Sequence, residues 1–298
     1  MKIVITGANS AVGHAILRCG PKLEPTNTYV AAVRSARAVE QLRAKQSDGN
    51  AVVQISYDDP TTLDAAFQGA SAVIHLAGIL FESPNSTYEQ ANVASTRAVV
   101  ESAQRAAVQK IILVSANGAD QTSSNRYYRT KGQAEELVRA SGLSYTVLRA
   151  PLLLGPGTAG SAALQRNISG KRAKLIGGGR NFQQPLHVDD LARAALAATR
   201  PTVANNLILE IVGPASLPER EIVELAARLQ GRQVRIGSIP KFSLSLIIGI
   251  RQRLGKGGFS LDALEVITAD TRLNPQPAAD ALGIKLTGID EMIKDSLG

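Results

Sequence analysis

In the stretch Tyr127-Tyr128-Arg129-Thr130-Lys131, a phenol and an ammonium stand four residues apart, and on a helix they share one face. An ammonium beside a phenol favours the phenolate and lowers its pKa, so Tyr127 can exchange a proton with a carbonyl or an alcohol. Lys131 can also hold ribose hydroxyls. Ser115 and Asn117, at the end of an apolar run just upstream, are candidates to polarise the substrate oxygen. With six tyrosines in 298 residues, such a spacing can arise by chance, so its place in the fold decides its meaning.

A second constellation is Thr6-Gly7-Ala8-Asn9-Ser10-Ala11-Val12-Gly13, which leaves an apolar run and opens a helical period. Gly7 permits a tight turn, and Gly13 lets helix and strand approach closely. The backbone amides around Asn9, Ser10, Ala11 and Val12 then face a pyrophosphate. Ser10 occupies the middle glycine position, so its side chain must point away or donate to phosphate. After the second strand-like run come Arg34 and Arg37, with no acid before Glu40. Two arginines there suit a 2′-phosphate, so the expected cofactor is NADP(H) in preference to NAD(H). Three unclustered histidines and a single cysteine, Cys19, argue against a metal site and leave no internal disulfide.

These groups need a scaffold, and the first 150 residues supply its rhythm. Strand-like runs at 2–6, 29–33, 52–55, 72–76, 110–115 and 145–148 alternate with helical periods at 11–19, 36–45, 61–67, 86–107 and 127–141. Asp59-Pro60 reads as a cap followed by proline at the first helical position. Alternation of this kind implies an α/β fold: a doubly wound parallel sheet with helices on both faces. After Gly155-Pro156-Gly157 the rhythm breaks. One helix at 188–199 and a strand at 207–211 follow, and 214–298 reads as mostly short helices. The expected organisation is a nucleotide-binding domain from 1–155 plus 187–212, and a smaller, mostly helical cap from 156–186 plus 213–298. Ligands would sit at the carboxyl ends of the strands, between the two.

Composition narrows the partners. An apolar share of 44% with 19% charged residues fits a globular chain. The net charge is +8, and from Leu225 to Leu261 there are seven Lys or Arg and no Asp or Glu. Such a region attracts anions, although 4% aromatic content and no basic recognition motif speak against nucleic acid. The opening Met-Lys-Ile-Val-Ile-Thr-Gly leaves no room for a leader, which points to the cytoplasm. The longest apolar run, 244–250, is too short to span a bilayer. Residues 242–256, an apolar run followed by Arg251, Arg253 and Lys256, suit either a peripheral membrane contact or a cap helix over the pocket, the latter preferred.

Together the motifs resemble the short-chain dehydrogenase/reductase superfamily, in its extended or atypical branch. The resemblance runs through the Thr-Gly loop, Ile74-His75-Leu76-Ala77-Gly78, Asn92-Val93-Ala94-Ser95-Thr96, Tyr127/Lys131, Leu148-Arg149-Ala150-Pro151 and Pro185-Leu186-His187-Val188-Asp189-Asp190-Leu191-Ala192. It implies that the loop, Ala77 and Gly78 line the cofactor, with Ser56 at the adenine position and Tyr57, Lys131 and Pro151 also binding the cofactor. It also implies that Tyr127 and Lys131 are catalytic, and it allows a homodimer through the 86–107 and 127–141 helices. Departures accompany it. Asn117 stands where the family has Ser or Thr, Ser56 replaces an Asp, and Gln183 replaces an Arg that holds a substrate diphosphate. They resemble the bacterial relatives of the Rossmann-type accessory subunit of respiratory complex I, and NmrA-like proteins. Three functions follow as expectations. The first is an NADP(H)-dependent oxidoreductase acting on a small carbonyl or alcohol. The alternative is a non-catalytic NADP(H)-binding redox sensor or complex-assembly protein, and a sugar-nucleotide epimerase or dehydratase is disfavoured by Gln183. His14 reads as a surface residue, His75 as packed near the cofactor, and His187 with Asp189 as a structural join.

Overall fold

The computed structural model describes residues 1–45, 50–76, 78–253 and 259–298, with the side chains of Lys45 and of 251–253 left out. Ala77 and the end of the 242–256 run therefore lie outside the described residues.

Seven strands form the central sheet: β1 (Lys2–Thr6), β2 (Thr28–Val33), β3 (Ala51–Gln54), β4 (Ala72–His75), β5 (Lys110–Ala116), β6 (Ser144–Ala150) and β7 (Leu207–Glu210). Their spatial order is β7-β6-β5-β4-β1-β2-β3, and every pairing is parallel. The order reverses between β4 and β1, which opens a crevice at their carboxyl ends.

Strand periodicity sorts the side chains onto two faces. Ile3, Ile5, Ile74 and Ile112 point to one core with α1 (Ala11–Leu23) and a later helix carrying Leu191 and Ala195. Helix α2 (Ala36–Lys45) lays Ala38, Val39 and Leu42 on the same face beside α1. Val4, Val73, Ile111 and Leu113 point to the other core, against Phe67, Val99 and Val138. The helices supplying these are α3 (Pro60–Phe67), α4 (Ser95–Arg105) and α5 (Arg126–Arg139). Asp59 caps α3 by accepting from the Thr61 amide, and Pro60 follows at its first position. The 86–107 period does not form one α-helix throughout: a π-helical turn, Glu89–Ala94, precedes α4 and turns Asn92 inward. Gly20 is required where α1 crosses β2, because a Cβ there would stand 2.6 Å from the Tyr29 ring.

Beyond β6, α6 (Ala159–Ile168), α8 (Glu219–Leu229) and α12 (Ile289–Leu297) enclose a separate apolar cluster that includes Leu164, Leu175, Ile222, Ala226, Met292 and Ile293. Between α6 and α8, α7 (Val188–Ala198) returns to pack on α1. Two of the described elements within 214–298 are strands: Leu217–Pro218 pairs antiparallel with Phe182–Gln183, and Arg235–Ile239 pairs in parallel with Arg172–Ile176. The exposed–buried alternation of Arg172, Ala173, Lys174 and Leu175 explains the second pairing, since cations face water while Ala173 and Leu175 join the cluster. The chain then runs through α9 (Lys241–Arg253), α10 (Leu261–Thr268) and α11 (Gln276–Leu282). Ala278 and Leu282 of α11 pack back into the main core. Among the described residues no helix is long and apolar enough to cross a membrane.

Candidate dinucleotide site and crevice

The β1–α1 turn is built for close approach. Gly7 takes a left-handed conformation (φ 72°), and its amide donates to the Ala32 carbonyl at 3.1 Å. A Cβ on Gly13 would lie 2.4 Å from the Ala8 carbonyl oxygen, so only glycine lets α1 begin here. Ser10 is the N-cap: its hydroxyl oxygen accepts from the Gly13 amide at 3.1 Å. That contact explains a serine in the middle glycine position, and its hydroxyl hydrogen stays free to donate. The Ala11 and Val12 amides have no acceptor within the helix and lie at its positive end. Asn9 is exposed on the turn, and Gly157 lies over Ala11. This cradle fits a dinucleotide pyrophosphate.

At the ends of β2 and β3, a cavity of about 490 Å³ is lined by Arg34, Gln54, Ser56, Tyr57, Asp58 and Thr62. The Arg34 guanidinium sits 6.0 Å from the centroid of the Tyr57 ring. Ser56 is held by its amide donating to Thr62 Oγ1 at 2.8 Å, while its own Oγ accepts from the Asp58 amide. Arg37 is exposed on the first turn of α2 and is not among the residues that line this cavity. Asp58 does line it, two residues past the Ser56 position where an acid is missing. The signal lay in Tyr57-Asp58 directly after the third strand.

Across the switch point, Lys131 is buried and donates to the Val114 carbonyl at 3.0 Å. Burial lowers its pKa to about 8, opposed by Glu135. Asn92, from the π-helical turn, donates to Thr130 Oγ1 at 3.0 Å and keeps a buried Oδ1 with no partner. Both groups border Gly78, where a Cβ would stand 3.0 Å from Asn92 Oδ1 and 3.2 Å from Lys131 Nζ. An orphaned acceptor and a cation beside a bare glycine fit a ribose and its hydroxyls. His75 lies beneath, with Nδ1 2.6 Å from Thr6 Oγ1 and Nε2 3.2 Å from Thr96 Oγ1. Full burial holds its pKa down to about 3, so the ring is neutral.

Tyr127 stands one turn before Lys131, but the lowered phenol pKa expected from that lysine is not what the structure gives. Burial pushes the phenol above its ordinary value, and the neighbouring phenols of Tyr128 and Tyr88 push it further. Both rings meet Tyr127 edge-on with centroids 5.7 Å away. Asn125 caps the helix by accepting from the Tyr127 and Tyr128 amides, and it donates to Glu265 Oε2 at 2.8 Å. The start of α10 thereby docks on the start of α5.

The other two polar candidates are engaged elsewhere. Ser115 Oγ donates to Glu135 Oε1 at 2.5 Å, one turn beyond Lys131. Asn117 Nδ2 donates to the Arg149 carbonyl at 3.0 Å and to Glu210, leaving Asn117 Oδ1 buried without a partner. Arg149 joins the carboxylates, 2.6 Å from Glu135 and 3.0 Å from Glu210. Sequence reading missed this network because its members come from β5, α5, β6 and β7. No described hydrogen bond links Ser115 or Asn117 to Tyr127.

A family model described as NAD(P)H-binding matches residues 7–199, which carry the cradle, Lys131 and Tyr127. The chain belongs to that family. Within the Rossmann superfamily it falls with the NmrA-like and epimerase/dehydratase-like members. The ceramide reductase of Caulobacter vibrioides is 29% identical over 181 residues, covering 61% of this chain and 57% of that protein. The mitochondrial NADH dehydrogenase [ubiquinone] 1 alpha subcomplex subunit 9 of Arabidopsis thaliana is 30% identical over 182 residues, covering 58% of this chain and 44% of that protein. The matched part thus spans about half the length of these relatives. The triphenylmethane reductase of Citrobacter sp., complexed with NADP(H), superposes with a TM-score of 0.76 at 18% identity, over 99% of this chain and 100% of that one. That likeness is one of fold.

In this NAD(P)H-binding protein several of the later motif residues are engaged by the protein itself. His187 caps α7 by accepting from the Asp189 amide at 3.2 Å. Asp189 pairs with Arg18 of α1, and fully buried Asp190 accepts from the Thr287 amide and hydroxyl, each at 2.7 Å. Gln183 donates to the Ile267 carbonyl at 3.1 Å, and Gln184 to those of Gly213 and Leu273. Pro151 is half-buried where β6 ends.

Proposed function

We propose that this protein is an NADP(H)-dependent oxidoreductase of the short-chain type, acting on a small carbonyl or alcohol. The observation that carries the reading is that buried Lys131 Nζ and the unpartnered Asn92 Oδ1 both stand beside the bare Cα of Gly78. One group donates and the other accepts, so together they can hold the nicotinamide ribose. The nicotinamide, when bound, supplies or takes the hydride. Tyr127, kept protonated by its surroundings, donates its proton to the carbonyl oxygen in reduction. Arg34 above Tyr57 supports the preference for NADP(H), because a guanidinium there can clamp a 2′-phosphate.

A second reading has an observation of its own. The contacts of Ser115 with Glu135 and of Asn117 with Glu210 occupy both oxygen-polarising candidates. They favour a non-catalytic NADP(H)-binding protein, used in redox sensing or in assembly of a larger complex. Gln183, held by backbone carbonyls of the 267–269 segment, gives no support to a sugar-nucleotide epimerase or dehydratase.

Two measurements test the proposal. Fluorescence titration of Arg34→Ala should show NADPH bound about 10- to 100-fold more weakly, the worth of a charge-assisted hydrogen bond, with NADH unchanged. Tyr127→Phe should lower kcat at least about 100-fold while NADPH affinity stays within about twofold. Tight NADPH binding without oxidation across aldehydes, ketones and quinones would select the second reading.

A further inference from the structure

Helix α9 is apolar on both sides. Ile248 is 3% exposed and Leu244 is half-buried, so one side packs on the protein. The opposite side carries Phe242 (80% exposed), Leu246 (57%) and Ile250 (51%), spaced by four, with Ile247 beside them. A surface helix ordinarily turns polar residues outward, so this arrangement lacks a cover. The apolar surface continues where α9 packs on α10, through exposed Leu261 and Phe259, whose ring lies 5.8 Å from that of exposed Phe81.

Charge identifies the cover. Lys171, Arg172, Lys174, Arg235 and Lys241 are all exposed, and among the described residues none is ion-paired. Arg172 and Arg235 are register partners, a like-charged pair that an anion would stabilise. Their ribbon leads through Pro240 directly into α9, within a stretch from Leu225 to Leu261 that contains no acid. A second copy of the chain would set these cations against themselves, whereas anionic headgroups would neutralise them while acyl chains took the apolar stripe. A helix of 13 residues is about 20 Å long, so it lies on a bilayer and does not cross it.

We propose that α9 and the basic ribbon before it form a docking face for an anionic membrane surface. The face involves neither the cofactor cradle nor Tyr127, so the inference stands or falls apart from the oxidoreductase reading.

The test is co-sedimentation of the full chain with vesicles of phosphatidylcholine alone and of two parts phosphatidylcholine to one of phosphatidylglycerol. The protein should pellet with the anionic vesicles at low salt and be released at high salt. Phe242→Ser with Leu246→Ser should cut the bound fraction about tenfold at an unchanged melting temperature, since neither side chain is in a core. Arg235→Glu with Lys241→Glu should remove the preference for phosphatidylglycerol. The proposal is overturned if the unaltered protein ignores both vesicle types, or if either double variant binds as well as it does. A dimer dispersed by the same serine substitutions, with no vesicle binding, would overturn it in favour of a second copy.

Discussion

Along the carboxyl edge of the sheet, the β1–β4 end and the β5–β6–β7 end treat their polar groups in opposite ways. At the first, the Ala11 and Val12 amides and Asn92 Oδ1 are left without protein partners. At the second, Ser115, Glu135, Arg149 and Glu210 satisfy one another, and only Asn117 Oδ1 is left over. Buried polar groups cost free energy unless paired, so Asn92 Oδ1, beside Lys131 and Gly78, suits a ligand that donates to it. The paired set marks where the fold completes itself.

Breaking the closed end should have the largest effect. Arg149→Met leaves Glu135, whose side chain is 4% exposed, without its cation and should cost about 3–5 kcal/mol in urea unfolding. NADPH affinity of the folded fraction should change little. If affinity collapsed with stability, the two ends would be one unit. At the open end, Gly13→Ala drives a Cβ against the Ala8 carbonyl and should destabilise by about 1–3 kcal/mol. Its larger signature would be the loss of NADPH binding in fluorescence titration. The most gradual effect is a slope with pH. His75 has a folded pKa near 3 against 6.5 unfolded, so between these values the unfolded chain binds the extra proton. Stability should fall as pH drops through that window, by up to about 1.4 kcal/mol per pH unit from this ring. His75→Asn should flatten that part of the acid limb in thermal melts; an unaltered limb would show that other groups govern it.

Most of the open end was legible in the sequence because it is local. Gly7 to Gly13 lie on one turn, and strand runs such as 110–115 differ from the observed β5 by a residue. The closed end was not legible, because Asn117 and Glu210 meet only once β5, β6 and β7 stand side by side. Asn92 was visible as a motif, but its unpaired oxygen depends on the π-helical turn that aims it. Arg34 and Arg37 looked equivalent three apart, yet only Arg34, at the strand end, overlooks Tyr57. The parallel ribbon was hidden because its halves are separated by α7, β7 and α8.

That ribbon has a bearing on how the molecule is made. Strand Arg172–Ile176 emerges from the ribosome well before its mate Arg235–Ile239, and the main core waits longer still for Ala278 and Leu282. Early synthesis therefore exposes an unmatched edge beside an unfinished interior. Cutting the chain between Ile176 and Arg235 would part the two strands of the ribbon and also take Ala278 and Leu282 from the main core.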